Sequence, residues 1–204
     1  MESENSYTYK TINKSVSSIF RDRNSKFLGF AFPVSTENEI SDVLAKLKKD
    51  YHDARHFCYA YILGADKSRW RANDDGEPSG SAGLPIYNQC LSLDLTNIFV
   101  VVVRYFGGTK LGVPGLINAY KTATKMALDE AEIVTKFPMI PLEIHFEYSD
   151  MNAVMTYIKQ NELVILEKKF SNKCSIMLQL PEHKKNELKK YFNPFSIELF
   201  WGTE

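Results

Sequence analysis

The stretch VVVVRYFGGTKLGVPGL, Val100 to Leu116, decides how this chain is read. Its valines lead into Arg104 and two aromatics. A continuous β-branched run of this kind predicts a strand buried on both faces, here Asn97 to Phe106. Four glycines then fall within nine residues: Gly107, Gly108, Gly112 and Gly115. From Pro114, Leu116, Ala119, Tyr120, Ala123, Ala127 and Ala131 make one stripe and predict a helix to about Val134. Pro114 suits its first turn. A strand, a glycine loop and a helix N-terminus together favour an anion, because free N–H groups point outward and the helix dipole attracts negative charge. Arg104 precedes the loop and Lys110 lies in it, so a phosphate or phosphodiester is one guest the loop suits. Close packing of helix on sheet is the other use of such glycines. Val113 and Pro114 stand where a Walker loop needs Lys and Ser/Thr, and the spacing is not that of a dinucleotide fingerprint.

A second glycine loop lies upstream, in NDDGEPSGSAGLP. Gly76, Gly80 and Gly83 repeat the spacing of Gly108, Gly112 and Gly115, and each set runs into a Gly-Leu before a predicted helix. Asp74, Asp75 and Glu77 are weak candidates for a divalent cation held through carboxylates and water. They serve equally well as turn and helix caps. Ser79 and Ser81 match no nucleophile elbow. In DARHFCYAY, strand alternation puts His56, Cys58 and Ala60 on one face, and Arg55, Phe57, Tyr59 and Tyr61 on the other. The first set reads as a hydrogen-bonded core histidine among small residues. The second reads either as a base-stacking face or as a face covered by a helix.

The whole chain has 204 residues, 44% of them hydrophobic, and 25 basic against 25 acidic side chains. No global basic field draws it to nucleic acid or membrane, so any such contact is a local patch. Cys58, Cys90 and Cys174 lie far apart in apolar settings without zinc-ligand spacing. The polar start, MESENSYTYK, has no apolar signal core, and no run of 18 apolar residues occurs. These features predict a cytoplasmic protein with no membrane contact, no metal and no cofactor.

Residues 7 to 34 read as two or three strands around the turn RDRNSK. TENEISDVLAKLKKD reads as a helix, with Thr36 and Glu39 as a capping box. KFPMIP is the linker expected between a domain 1–136 and a domain 137–204, because its prolines stop helix and ladder. Beyond it the order strand, helix, strand, strand, helix, strand predicts a ferredoxin-like βαββαβ domain, with SNK as the central turn. The lysines Lys184, Lys185, Lys189 and Lys190 read as a solvated helix face.

DARHFCYAYILG, DDGEPSGSAGLPI and VVVVRYFGGTKLGVPGL, in this order and spacing, resemble the Impact family, whose bacterial branch is called YigZ. The resemblance runs over roughly residues 15 to 130. It implies an α+β protein: an N-terminal two-layer α/β sandwich similar to domain 2 of ribosomal protein S5, then a ferredoxin-like domain similar to one in elongation factor G. The family's shared positions fall here on His56, Asp75, Gly76, Glu77, Pro78, Gly80, Ala82, Gly83, Pro85, Arg104, Tyr105, Gly107, Gly108, Leu111, Gly112, Gly115 and Leu116. Pro114 replaces a glycine usual in the family and removes one N–H donor. Eukaryotic members regulate translation by competing for the activator of a starvation kinase, a pathway bacteria lack. The resemblance therefore implies a non-catalytic, translation-associated factor. Its partner would be RNA, the ribosome or a translation-regulating protein. The binding surface would comprise His56, Asp75, Gly76, Glu77, Ser79, Gly80, Gly83, Arg104, Tyr105, Gly107, Gly108, Lys110, Gly112 and Gly115. The alternative is a phosphate-handling enzyme that uses the acidic loop and a divalent metal.

Overall fold

In a computed structural model of the chain, residues 8–171 and 173–202 are described. The strand read from the valines is β6, Ile98–Tyr105, buried at every position up to Arg104. It is central to an antiparallel five-stranded sheet of order β2-β3-β6-β4-β5, where β2 is Val16–Asp22, β3 Ser25–Pro33, β4 His56–Leu63 and β5 Arg69–Asn73. Arg23 and Asn24 both take positive φ, 43° and 66°, in the two-residue turn that joins β2 to β3. That geometry matches the strand twist.

Alternation along β4 and β6 divides the core into two faces. On one, Cys58, Ala60, Ile62, Ile98, Val100 and Val102 pack against helices α2, Gly83–Ser92, and α3, Gly112–Asp129. This sheet with its helix pair is the expected sandwich. α3 approaches β3 so closely that a Cβ on Gly29 would lie 2.7 Å from the Ala123 carbonyl oxygen. On the other face, Phe57, Leu63, Phe99, Val101 and Val103 meet Ile40 and Leu47 of helix α1, Glu37–Asp50. Thr36 caps α1 by accepting the Glu39 N–H at 3.2 Å, and Glu39 reaches back to the Ser35 N–H at 2.7 Å. Tyr59 and Tyr61 pack partly buried against this cluster, so the aromatic face of β4 is a helix-covered face rather than an open stacking platform.

Two segments depart from the sequence reading. α3 ends at Asp129, and Ile133–Lys136 is a strand, β7, paired with β1, Tyr9–Ile12. The β-branched run Ile133-Val134-Thr135 favours extended backbone over the last turn that the alanine stripe predicts. The sequence reading assigns no strand to RWRAN, which forms edge strand β5, because the run is only five residues long and carries two arginines, although Trp70 and Ala72 alternate with polar residues.

The chain divides between Lys136 and Phe137 into two compact units. Residues 1–7, and Asn172 of the expected SNK turn, lie outside the described residues. The second unit contains β8, Met139–Phe146, α4, Met151–Gln160, β9, Ile165–Phe170, β10, Cys174–Pro181, α5, Lys185–Phe192, and β11, Glu198–Trp201. Its antiparallel sheet has order β11-β8-β10-β9, the split βαββαβ arrangement that the sequence predicts. Leu142, Ile144, Ile176 and Leu178 pack beneath Val154, Ile158, Leu188 and Phe192. Pro141, read as a ladder stop, lies inside β8 opposite Gln179, and its carbonyl accepts from Gly202 N–H. Lys185 and Lys189 lie over the Trp201 ring at 4.7 and 5.5 Å from its centroid, and Lys184 donates to Asn161. No helix among the described residues is long and apolar enough to cross a membrane.

Candidate functional site

β4 and β6 pair His56 directly with Arg104, which brings the two glycine loops to the same end of the sheet. The upstream loop is built around its own acids. Asp74 accepts the Ala82 and Gly83 N–H groups through Oδ1 at 2.9 and 2.8 Å, and the Gly80 N–H through Oδ2 at 2.8 Å. The N-terminus of α2 thus already holds an anion, and that anion belongs to the chain. Asp75 accepts the Phe57 N–H at 2.6 Å, and its carbonyl oxygen lies 2.9 Å from His56 Nδ1. A carbonyl only accepts, so Nδ1 carries the proton and His56 holds the loop. Ser81 is fully buried and donates to the Pro78 carbonyl, whereas Ser79 is exposed.

Glu77 reaches under the sheet end. Its Oε1 lies 2.6 Å from Arg104 Nη1 and 2.8 Å from the Tyr120 hydroxyl. The Arg104 and Glu77 side chains are 6% and 5% exposed. Arg104 is further held between the Phe27 and Phe106 rings, at 5.4 and 5.6 Å from their centroids. Its Nε finds no partner among the described residues. Cys58 Sγ lies 3.0 Å from the Asp74 carbonyl and 3.2 Å from the Tyr120 hydroxyl, and its single proton serves one of them at a time. Burial, chiefly, pushes the Cys58 thiol and the Tyr120 phenol far above their ordinary ranges. Neither ionises near neutrality, so neither is a ready nucleophile.

The downstream loop is organised differently. Gly107 N–H donates to Ser25 Oγ at 3.1 Å, and a Cβ there would lie 2.1 Å from the Asn24 carbonyl carbon. That glycine is needed for packing against the β2–β3 turn. Gly108 has φ +84° with open space where a Cβ would stand. Lys110 is exposed, and no side chain caps α3. Pro114 lies in the first turn of α3, where a missing N–H breaks no helical hydrogen bond.

Asp53 to His56 and Arg104 to Phe106 line a hollow of about 310 Å³. Tyr105 donates to Asp53 Oδ1 at 2.7 Å. That bond holds the Asp53 carboxyl below its ordinary range and pushes the phenol up to about 12.

Of the residues read from sequence, His56, Arg104 and Tyr105 line the hollow, while Asp75 and Glu77 brace it from behind. Lys110 stands on the second loop and Ser79 on the first. Sequence reasoning gave no role to Asp53, Phe106, Cys58 or Tyr120 here. Phe106 lies inside the motif and its exposure was the missing clue; nothing local links Asp53 to Tyr105. The three acids proposed for a cation are engaged by backbone N–H groups or by Arg104. Among the described residues no cluster of His, Cys, Asp and Glu is arranged to hold a metal ion.

The family model for the Impact N-terminal domain matches residues 23–128. The Impact family member YvyE of Bacillus subtilis is 29% identical over 91% of this chain and 85% of its own length. The family member YigZ of Escherichia coli is 31% identical over 74% of each chain. A solved crystal structure of a hypothetical protein, 26% identical, superposes with a TM-score of 0.75 over 97% of this chain and 98% of the other. The matched domain contains both glycine loops, β4, β6 and the Glu77–Arg104 pair, and the chain belongs to the Impact family.

Proposed function

We propose that this chain is a non-catalytic, translation-associated factor. It would bind RNA, the ribosome or a translation-regulating protein through the surface around the hollow and the second glycine loop. One observation carries the reading: the acids of the first glycine loop, with His56 and Arg104, hold that loop against the sheet instead of standing free for chemistry. Asp74 fills the first helix N-terminus, Asp75 and His56 tie the loop to β4, and Glu77 neutralises Arg104. What faces outward is Phe106, 55% exposed, with Lys110 and the uncapped start of α3. An aromatic ring, a cation and free N–H groups suit contact with a phosphate-bearing or protein surface. Family membership supports the link to translation, since the resemblance implies that role for the eukaryotic members. The phosphate-handling alternative loses its metal-binding acids to these internal bonds.

Co-sedimentation with purified ribosomes at low and high salt tests the reading. Phe106→Ala combined with Lys110→Glu serves as the variant, and Lys110→Glu alone, which touches no member of the buried network, separates lost surface contact from a loosened Arg104, over which the Phe106 ring lies. Salt-sensitive binding lost in the variant is expected, since phosphate contacts weaken as salt rises. No co-sedimentation at any salt, together with no retained protein partner after nuclease treatment, overturns the reading.

A further inference from the structure

One of the two edges of the larger sheet is β5, which among the described residues pairs with β4 alone. An unpaired edge offers a row of N–H and C=O groups to another strand. Arg69, Trp70 and Arg71 are all exposed there. Trp70 stands opposite Ile62 and so faces the α2 side, whereas Arg69 and Arg71 stand opposite Leu63 and Tyr61 on the other. On the α2 side, Trp70 stacks on Tyr87 with ring centroids 4.5 Å apart and planes inclined at 28°. Leu84 and Leu91 flank Tyr87 on the same helical face, 45% and 39% exposed. The edge thus has an apolar shelf below and two cations above. Glu37 also lies near Tyr61, and Asp66 lies near Arg69 but is engaged by the Ser68 N–H.

We propose that β5 is a docking edge for an extended segment of a partner protein whose side chains alternate apolar and acidic. The segment would add to the sheet as a strand, in hydrogen-bond register with β5. Its apolar side chains would lie on Trp70, Tyr87 and Leu91, and its carboxylates would meet Arg69 and Arg71. A second copy of this chain is a poor occupant. Pairing β5 with another β5, faces kept, sets the arginines of both copies on one side, and like charges across a pair destabilise it. A nucleic acid satisfies the arginines but not the edge's alternating donors and acceptors. The proposal uses neither the hollow nor the second glycine loop, so it stands or falls apart from the reading above.

The test uses the full chain, labelled with nitrogen-15, and two capped peptides about six residues long, the usual strand length. One alternates valine with glutamate and the other valine with lysine, at neutral pH. The glutamate peptide is expected to shift the β5 amides and slow their exchange, and the lysine peptide is not. Arg69→Glu with Arg71→Glu should weaken the glutamate peptide about tenfold, the scale of two exposed ion pairs, and admit the lysine peptide. Trp70→Ala, a second variant that keeps both arginines, should also weaken the glutamate peptide. Absence of shifts at β5, equal binding of both peptides, or indifference to these substitutions overturns the proposal. So does the appearance of the same shifts with a uridine oligonucleotide, or with rising protein concentration alone.

Discussion

Glu77 and Arg104 form an ion pair of 2.6 Å in which both side chains are more than nine-tenths buried. The pair joins the tip of the first glycine loop to the end of β6, and Tyr120 of α3 shares the same carboxylate oxygen. Removing one partner leaves a buried charge uncompensated. Glu77→Gln or Arg104→Met alone is therefore expected to destabilise the chain by about 3–5 kcal/mol. The double substitution should cost clearly less than the sum, because residues in one network couple. Urea unfolding of the two single variants and the double variant measures this, and strict additivity would show that the two side chains act independently.

Much of the fold was legible because its signals are local. The valines of β6 are buried on both faces, and the alanine stripe of α3 packs on the sheet. The role of the acids in the first glycine loop was not legible, because it depends on where the chain returns. Asp74 closes a helix start eight and nine residues downstream, at Ala82 and Gly83. Glu77 meets Arg104 only because β4 and β6 are neighbours. The same limit explains β7 and β5: each is short, and β7 is defined by its distant partner β1.

The thiols yield a second prediction. Cys58, Cys90 and Cys174 are all buried, and burial raises the Cys58 and Cys90 thiols well above the ordinary value, Cys90 to about 12. Only the thiolate reacts readily. Alkylation by iodoacetamide at pH 8 is expected to be slow in the native chain and to speed up across the unfolding transition. Rapid modification of Cys58 in buffer alone would show that the Glu77–Tyr120–Cys58 cluster opens on its own.

The two adjacent glycines of the second loop separate the two uses of that residue. Gly107→Ala sets a Cβ 2.1 Å from backbone of the β2–β3 turn, so the turn or the strand end has to move. Gly108→Ala meets no atom within 4 Å and pays only for φ +84°, roughly 1–2 kcal/mol for a non-glycine residue. Gly107→Ala is expected to destabilise more than Gly108→Ala. Thermal unfolding of the two variants decides it, and the reverse order would mean that the loop is not pressed against Asn24 in solution.

Tyr105 and Asp53 close one side of the hollow and give it a pH signature. The hydrogen bond between them depresses the Asp53 carboxyl and raises the Tyr105 phenol from 10.0 to about 12. A depressed carboxyl contributes stability above its unfolded value and loses it as pH falls through its folded value. A raised phenol contributes stability below 10.0 and loses it as pH rises through about 12. The wild-type chain should therefore exceed Tyr105→Phe in stability across the neutral range, with the gap closing at both acid and alkaline ends. Both groups face solvent, so the gap is small and salt-sensitive. Melting temperatures of the two proteins across a pH series measure it. A gap of constant size from acid to alkali would show that Tyr105 stabilises by ring packing alone, and that the Asp53 wall of the hollow is not held by this bond.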